Sequence, residues 1–157
     1  MAADRRSLPP LIVRRAVLAG LLGTAAMTAL WLAEPRVGLA RWAVGDILSS
    51  LLAVATAYVS LGPALGWALH FAVGIILAVL YATAFAGRLP GSKLARGLLY
   101  GLGIFVVAQL VFMPLVGAGF FSRGDPPLLL GSLVGHLAYG GVVGILYGTA
   151  ASTPSAV

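Results

Sequence analysis

The chain has 157 residues, of which 61% are hydrophobic and 9% are charged, and its mean hydropathy is +1.04. A soluble domain carries about 25% charged residues, so this composition excludes a water-soluble globule and predicts an integral membrane protein. The net charge of +6 comes from basic residues that lie mainly at the ends of apolar stretches, where they act as topology signals and do not form a nucleic-acid surface. The absence of cysteine excludes disulfides, thiolate chemistry and cysteine-ligated metal centres.

The amino-terminal part predicts a basic cytoplasmic tail over residues 1–15, followed by a first membrane crossing over residues 16–33, which carry no charge. Residues 38–40 (Gly-Leu-Ala) have the form of a signal-peptide cleavage site. The apolar stretch before them is longer than the roughly 7–15 residues of a signal core, which favours a helix that stays in the membrane. Residues 34–36 (Glu-Pro-Arg) end this helix.

The segment 46–60 is predicted to be an amphipathic helix at the outer membrane interface. It starts with a capping residue, Asp46, and its polar residues Ser49, Thr56 and Ser60 fall near one helical face. A helix of this length spans about 22 Å, which is short for a crossing. An interfacial position is therefore the expectation, while re-entrant and spanning arrangements stay open.

Three more apolar stretches complete the predicted four-helix membrane domain of residues 16–150. They cover residues 64–86, 97–117 and 128–150, and a polar cytoplasmic tail, 151–157, follows. With four crossings, seven basic residues fall on the side of the amino terminus and three on the opposite side. A fifth crossing at 46–60 would divide them five against five. The positive-inside rule therefore predicts four crossings with both termini in the cytoplasm.

The second and fourth crossings repeat one another over residues 70–84 and 136–150. The first and third crossings also align, more weakly, through Gly20 and Gly101. Because both predicted hairpins start inside, the fold class is an all-α bundle of two parallel-repeat hairpins, with the interfacial helix as an insertion in the first. The matched pairs of the stronger repeat are His70 with His136, Gly74 with Gly140, Ala78 with Gly144, and Tyr81 with Tyr147.

Small residues recur at helical spacing and predict where the helices touch. Lipid provides no hydrophobic drive for helix association, so membrane helices associate through close backbone approach at such residues. The predicted packing positions are Gly20, Thr24, Gly74, Ala78, Gly140, Gly144 and Gly148.

His70 and His136 continue these small-residue stripes, so both are predicted to face the bundle interior in the outer half of the membrane. Counting from the helix ends places them about 9–12 Å deep. Met27, Thr28, Gln109 and Met113 fall at similar depth, which predicts one inward-facing polar layer.

Two interpretations of the histidine pair follow. A neutral histidine can hydrogen-bond across helices as a structural group. Alternatively, His70 and His136 could hold a b-type haem through both axial positions, with Met27 or Met113 as alternate ligands. No cofactor is expected beyond this haem alternative. No metal site is expected either, because two histidines without carboxylates or thiolates make a poor one.

The remaining function classes are weighed from motifs and size. No Walker loop, HExxH or GxSxG motif is present, so no catalytic residue and no enzyme is predicted. A small-solute or proton conduit would need an oligomer, because four helices enclose little volume. The leading prediction is a structural or accessory protein of the bacterial inner membrane. Its partners would be the lipid bilayer and a membrane-protein partner or further copies of the chain, with no nucleic acid.

Four stretches carry a resemblance to a known family. They are residues 66–71 (GWALHF), 89–91 (LPG), 113–121 (MPLVGAGFF) and 135–148, which begins GHLAYG and ends YG. In these the chain resembles a family of short bacterial four-helix integral membrane proteins classed as a domain of unknown function. The resemblance covers most of residues 64–150. It implies the four-helix fold and no activity.

Overall fold

The computed structural model describes residues 10–33, 36 and 63–148 of the chain. All regular structure in these ranges is helical, and each of the four long helices is long and apolar enough to cross a membrane. The predicted all-α class with four membrane helices is therefore confirmed. The helices are α1 (Pro10–Ala33), α2 (Pro63–Leu80), α3 (Lys93–Val107) and α4 (Pro126–Gly148).

Two of the helices continue through a π-helical turn, in which one extra residue is accommodated per turn. After α2 the π-turn covers Tyr81–Phe85, and after α3 it covers Ala108–Phe112 and leads into a last α-helical turn, Met113–Leu115. Each π-turn carries a buried side chain with a polar group, Tyr81 in the first and Gln109 in the second.

The helix starts differ from the predicted ones for local reasons. α1 begins at Pro10, inside the predicted tail, and proline is favourable at a first helical position. α3 begins at Lys93 because the Ser92 side chain accepts a hydrogen bond of 3.2 Å from the backbone N–H of Ala95. The predicted interfacial helix 46–60 and the tails 1–9 and 151–157 lie outside the described residues.

The helices form an antiparallel bundle in which α1 packs against α2 and α4, and α4 packs against α3. α2 and α3 are joined through tyrosines. The Tyr100 hydroxyl donates a hydrogen bond of 2.7 Å to the Leu77 carbonyl, and the rings of Tyr81 and Tyr100 lie 5.0 Å apart. The Tyr139 hydroxyl of α4 donates to the Gly74 carbonyl of α2 at 2.6 Å and ties these two helices together.

The interior contains small and aromatic residues, whereas the large aliphatic residues lie on the outside. Leucine, valine and isoleucine side chains on all four helices are exposed, as expected for surfaces that meet lipid tails. The buried core cluster consists of Met27, Ala78, Tyr81, Tyr100, Tyr139 and Val143.

A left-handed turn, Phe120–Gly124, connects the end of the third crossing to α4. Its central residues Phe121, Ser122 and Arg123 have φ angles of 45°, 51° and 52°. Left-handed geometry costs a non-glycine residue about 1–2 kcal/mol, so side-chain contacts have to hold the turn. Arg123 Nη2 donates to the Gly117 carbonyl at 3.0 Å, and Ser122 Oγ donates to Gln109 Oε1 at 2.9 Å.

Candidate functional site

Two buried histidines on different helices mark the candidate site. His70 of α2 is 8% exposed and His136 of α4 is 9% exposed, so both face the bundle interior as predicted. We call Met27, Trp31, His70 and His136 the histidine layer. Met27 and Trp31 lie one turn apart on α1, and that spacing presents both side chains on one face of the helix.

The orientation of His136 is set by its own helix. Its Nδ1 lies 2.7 Å from the backbone carbonyl oxygen of Ser132. A carbonyl only accepts, so Nδ1 carries the hydrogen and donates it, and the neutral ring keeps its lone pair on Nε2. Within the part of the chain that the structure describes, this Nε2 makes no hydrogen bond.

His70 is held from the neighbouring helix. Its Nε2 lies 3.1 Å from the Thr28 hydroxyl of α1, a hydrogen bond that crosses the α1–α2 interface. Thr28 was placed at this depth from the sequence. In the first hairpin, two residues of the predicted polar layer, Thr28 and His70, therefore bond each other across the interface.

Trp31 connects the two histidines. Its ring stacks on His70 at 5.3 Å with an interplanar angle of 27°, and it meets His136 edge-on at 6.3 Å. The indole Nε1 and Met27 Cγ occupy the space where a side chain at Gly135 would be. Trp31 was missed in the sequence analysis, although its spacing of four residues from Met27 is the signal that finds it.

A chain of hydrogen bonds runs from the left-handed turn to His136. Ser122 Oγ donates to Gln109 Oε1, and Gln109 Nε2 donates to Ser132 Oγ at 3.1 Å. Ser132 Oγ in turn lies 3.4 Å from His136 Nδ1. Gln109 is fully buried, so its amide depends on these two serine partners, which the sequence analysis did not identify. We call Ser122, Gln109 and Ser132 the Gln109 network.

The end of this network at Ser122 meets an open cavity of about 390 Å³. Ser122 lines it together with Arg123 and Asp125. Met113, the second predicted methionine, is buried four residues beyond Gln109. Met27, and not Met113, belongs to the core cluster against which Trp31 packs, so the structure groups Met27 with Trp31.

Six of the predicted packing positions have neighbours on another helix, namely Gly20, Thr24, Gly74, Ala78, Gly140 and Gly144. A Cβ at Gly20 would lie 2.8 Å from Ile75 Cα and 2.9 Å from Ala78 Cβ, and the Thr24 hydroxyl fills the space above Gly74. In the second hairpin Gly140 packs on the backbone of Gly97 and Gly101, and Gly144 packs on Gly97 and on the Lys93 carbonyl. Gly148 is the last residue of α4.

The contacts also follow the repeat. Gly20 lies on Gly74 in the first hairpin, and the positions matched to them, Gly101 and Gly140, pack on each other in the second. The matched pair Thr28 and Gln109 each lead by hydrogen bonds to a histidine. The duplication itself stays a prediction.

The haem alternative has to account for Trp31. Because one indole contacts both imidazoles, a macrocycle held by His70 and His136 would have to displace it. Haem binding stays a prediction. No group of three or more His, Cys, Asp or Glu side chains comes together among the residues of known placement.

Comparison with known proteins places the chain in a family. A model described as a family of unknown function, DUF6789, matches residues 12–157, and the chain therefore belongs to that family. This confirms the resemblance seen in the sequence. No curated protein and no solved structure matches the chain. Membership assigns no activity, so the function has to be argued from the geometry above.

Proposed function

We propose that this chain is a non-catalytic structural or accessory component of the bacterial inner membrane, and that a single copy does not conduct solutes or protons. The observation that carries the proposal is that the glycines at the helix interfaces pack against neighbouring helices of the same chain. Gly97 and Gly140 bring the backbones of α3 and α4 together, and Gly20 does the same for α1 and α2.

The interior between these contacts is filled. The largest fully buried side chains are Tyr81, Gln109, Val143 and Thr24, and they fill interior space among the described residues. Several buried polar groups bond one another, since Gln109 bonds two serines and His70 bonds Thr28. This pairing supports a structural role for these groups, because each of the bonds is made within one chain.

The surface supports an accessory role. Leu98, Leu102 and Val106 form an exposed apolar face of α3, and Ile76 and Leu80 do so on α2. These faces suit lipid or the helices of a membrane partner. With no soluble domain in the described chain, a role within the membrane depends on such contacts.

A flux assay tests the proposal. The purified chain is reconstituted into vesicles that contain a pH-sensitive dye, and a potassium diffusion potential drives protons inward. We expect the proton leak to equal that of protein-free vesicles, because the interior is closed. A leak that depends on the protein and disappears in His136→Ala would overturn the proposal in favour of a conduit.

The proposed orientation places both termini in the cytoplasm, with the turn that carries Arg88, Lys93 and Arg96 inside and the Phe120–Gly124 turn outside. The chain has no cysteine, so each cysteine variant has a single thiol. Arg123→Cys should react with a membrane-impermeant maleimide in intact cells, and Lys93→Cys only after permeabilisation. The opposite pattern would invert the topology.

A further inference from the structure

We propose that the histidine layer binds a soft monovalent cation of the Cu(I) class, with Met27 Sδ, His136 Nε2 and His70 Nδ1 as ligands and the Trp31 ring beside the ion. This inference goes beyond the structural role proposed above and does not depend on it. Two histidines alone make a poor metal site, which is why none is expected from the sequence. A buried thioether and an indole in the same layer change that assessment.

His136 has one ring nitrogen held by its own helix and the other free of hydrogen bonds among the described residues. Histidines that bind metals usually donate their other ring N–H to a carbonyl or carboxylate, which fixes the tautomer and the direction of the lone pair. His136 Nδ1 makes this bond to the Ser132 carbonyl at 2.7 Å. Its Nε2 therefore has no hydrogen and keeps a lone pair that can bind a metal ion, and the His136 side chain is more than nine-tenths buried.

The second imidazole is held from the opposite helix. His70 Nε2 lies 3.1 Å from the Thr28 hydroxyl, and Nδ1 makes no hydrogen bond to any residue in the described ranges. In the tautomer whose Nε2–H donates to Thr28 the lone pair lies on Nδ1, and the proposed site uses that tautomer. Both imidazoles lie against the Trp31 ring, at 5.3 Å and 6.3 Å between centroids. Two buried imidazoles, each with one nitrogen held and one unpartnered, therefore converge on the same indole.

Met27 adds a soft ligand. It is 5% exposed, and its Cγ lies beside Gly135, the residue before His136, together with Trp31 Nε1. Thioether and imidazole together favour copper over magnesium, calcium or manganese, which prefer oxygen ligands. The Trp31 ring adds a polarisable π-face, and tryptophan provides the strongest cation–π partner among the aromatic side chains.

The proposed ligands carry no charge, and this favours a monovalent ion over a divalent one. Among the residues whose positions are described, the only carboxylate is Asp125, which lies in the loop before α4. The ligands are neutral, so the ion must bring its own charge into the bilayer. The desolvation cost grows with the square of the charge, so a divalent ion costs about four times as much as a monovalent ion of equal size. This favours Cu(I), and Ag(I) as its redox-inert analogue, over Zn(II).

The test uses the purified full chain in detergent under anaerobic, reducing conditions. Cu(I) is titrated against the chromogenic chelator bicinchoninate, and Ag(I) is titrated while tryptophan fluorescence is followed. We expect one equivalent of Cu(I) to be withdrawn from the chelator and Ag(I) to quench fluorescence. Failure of the wild-type chain to compete, or equal binding of Zn(II), would overturn the proposal.

Matched methionine variants locate the site. Met27→Leu keeps the shape of a buried side chain and removes the sulfur, and we expect it to weaken Cu(I) binding at least about tenfold. Met113→Leu is the control, because Met113 is similarly buried on another helix. Equal losses in both variants would overturn the assignment to Met27.

Two further variants separate binding from folding. His136→Gln should lose competition for Cu(I) while its elution volume and helical circular dichroism stay those of the wild type. Trp31→Phe should retain competition for Cu(I) and lose most of the Ag(I) quenching, because the ring beside the ion is replaced. Quenching that is unchanged in Trp31→Phe would contradict an ion in this layer.

Discussion

Replacing Gly101 by leucine is expected to abolish the folded bundle or to destabilise it by about 3 kcal/mol or more. A Cβ at this position would contact the His136 carbonyl oxygen and lie 3.1 Å from its carbon and 3.3 Å from Gly140 Cα. All three are backbone atoms of α4, which cannot move aside by changing a rotamer. The two helices would have to separate, and the contacts that position His136 would be lost.

Gly103 provides the matched control two residues further along α3. No atom lies within 4 Å of a Cβ built at this position, which points outward. Gly103→Leu should be neutral or slightly stabilising, because glycine is about 0.8–1.0 kcal/mol less favourable than alanine in a helix and leucine ranks next after alanine. Denaturation in mixed detergent micelles, followed by circular dichroism, measures both variants. Similar midpoints for the two would show that α3 and α4 do not pack at Gly101.

The same reasoning extends the packing positions that the sequence predicted. Gly140→Leu and Gly144→Leu insert a side chain into the backbone of α3, with Gly101 Cα at 2.7 Å and Gly97 Cα at 2.6 Å from the added Cβ atoms. Both should behave like Gly101→Leu. If all of them resisted detergent as the wild type does, small-residue packing would not hold the bundle together.

The four crossings and their inward faces could be predicted because they depend on local sequence features, namely apolar length and the spacing of small residues. An apolar stretch long enough for the bilayer has few alternatives to a helix. Small residues at a spacing of four mark the face on which helices approach. The depth of Thr28, His70 and Gln109 followed from counting residues along a regular helix.

The prediction lost accuracy where the helix is not regular. The repeat pairs Trp31 with Phe112, but Phe112 is 43% exposed and Met113 is buried in its place. The π-turn Ala108–Phe112 holds one residue more than an α-helical turn, which shifts everything beyond Gln109 by one position. Met113 is thus the counterpart of Trp31. A regular 3.6-residue period cannot reveal such a shift.

The left-handed turn was also beyond sequence reasoning. Glycine at positions 117, 119 and 124 signals positive φ angles, and all three have them. Nothing local indicates that Phe121, Ser122 and Arg123 share that conformation, because each pays a steric cost there. The compensation is the bond from Ser122 to Gln109, thirteen residues earlier in the chain. A partner at that separation is visible only in the folded structure.

This dependence leads to the last prediction, that Gln109→Leu destabilises the bundle by about 1–3 kcal/mol. Leucine has a similar volume, so the cost does not come from a cavity. It comes from Ser122 and Ser132, which lose the two ends of one fully buried amide. Because Ser122 lies in the middle of the strained turn, limited proteolysis between residues 117 and 124 should also become faster.

A double-mutant cycle distinguishes loss of the network from a general packing defect. Ser122→Ala removes the partner hydroxyl, so Gln109→Leu combined with Ser122→Ala should cost less than the sum of the two single changes, with a coupling of about 0.6–1.7 kcal/mol. Thr83→Ala serves as the control, since the exposed Thr83 hydroxyl bonds only its own helix, at 2.9 Å to the Val79 carbonyl. Its combination with Gln109→Leu should be additive.

A coupling of zero between positions 109 and 122 would mean that the left-handed turn is held by Arg123 and the flanking glycines alone. The bond from Ser122 to Gln109 would then contribute nothing to the stability of the fold.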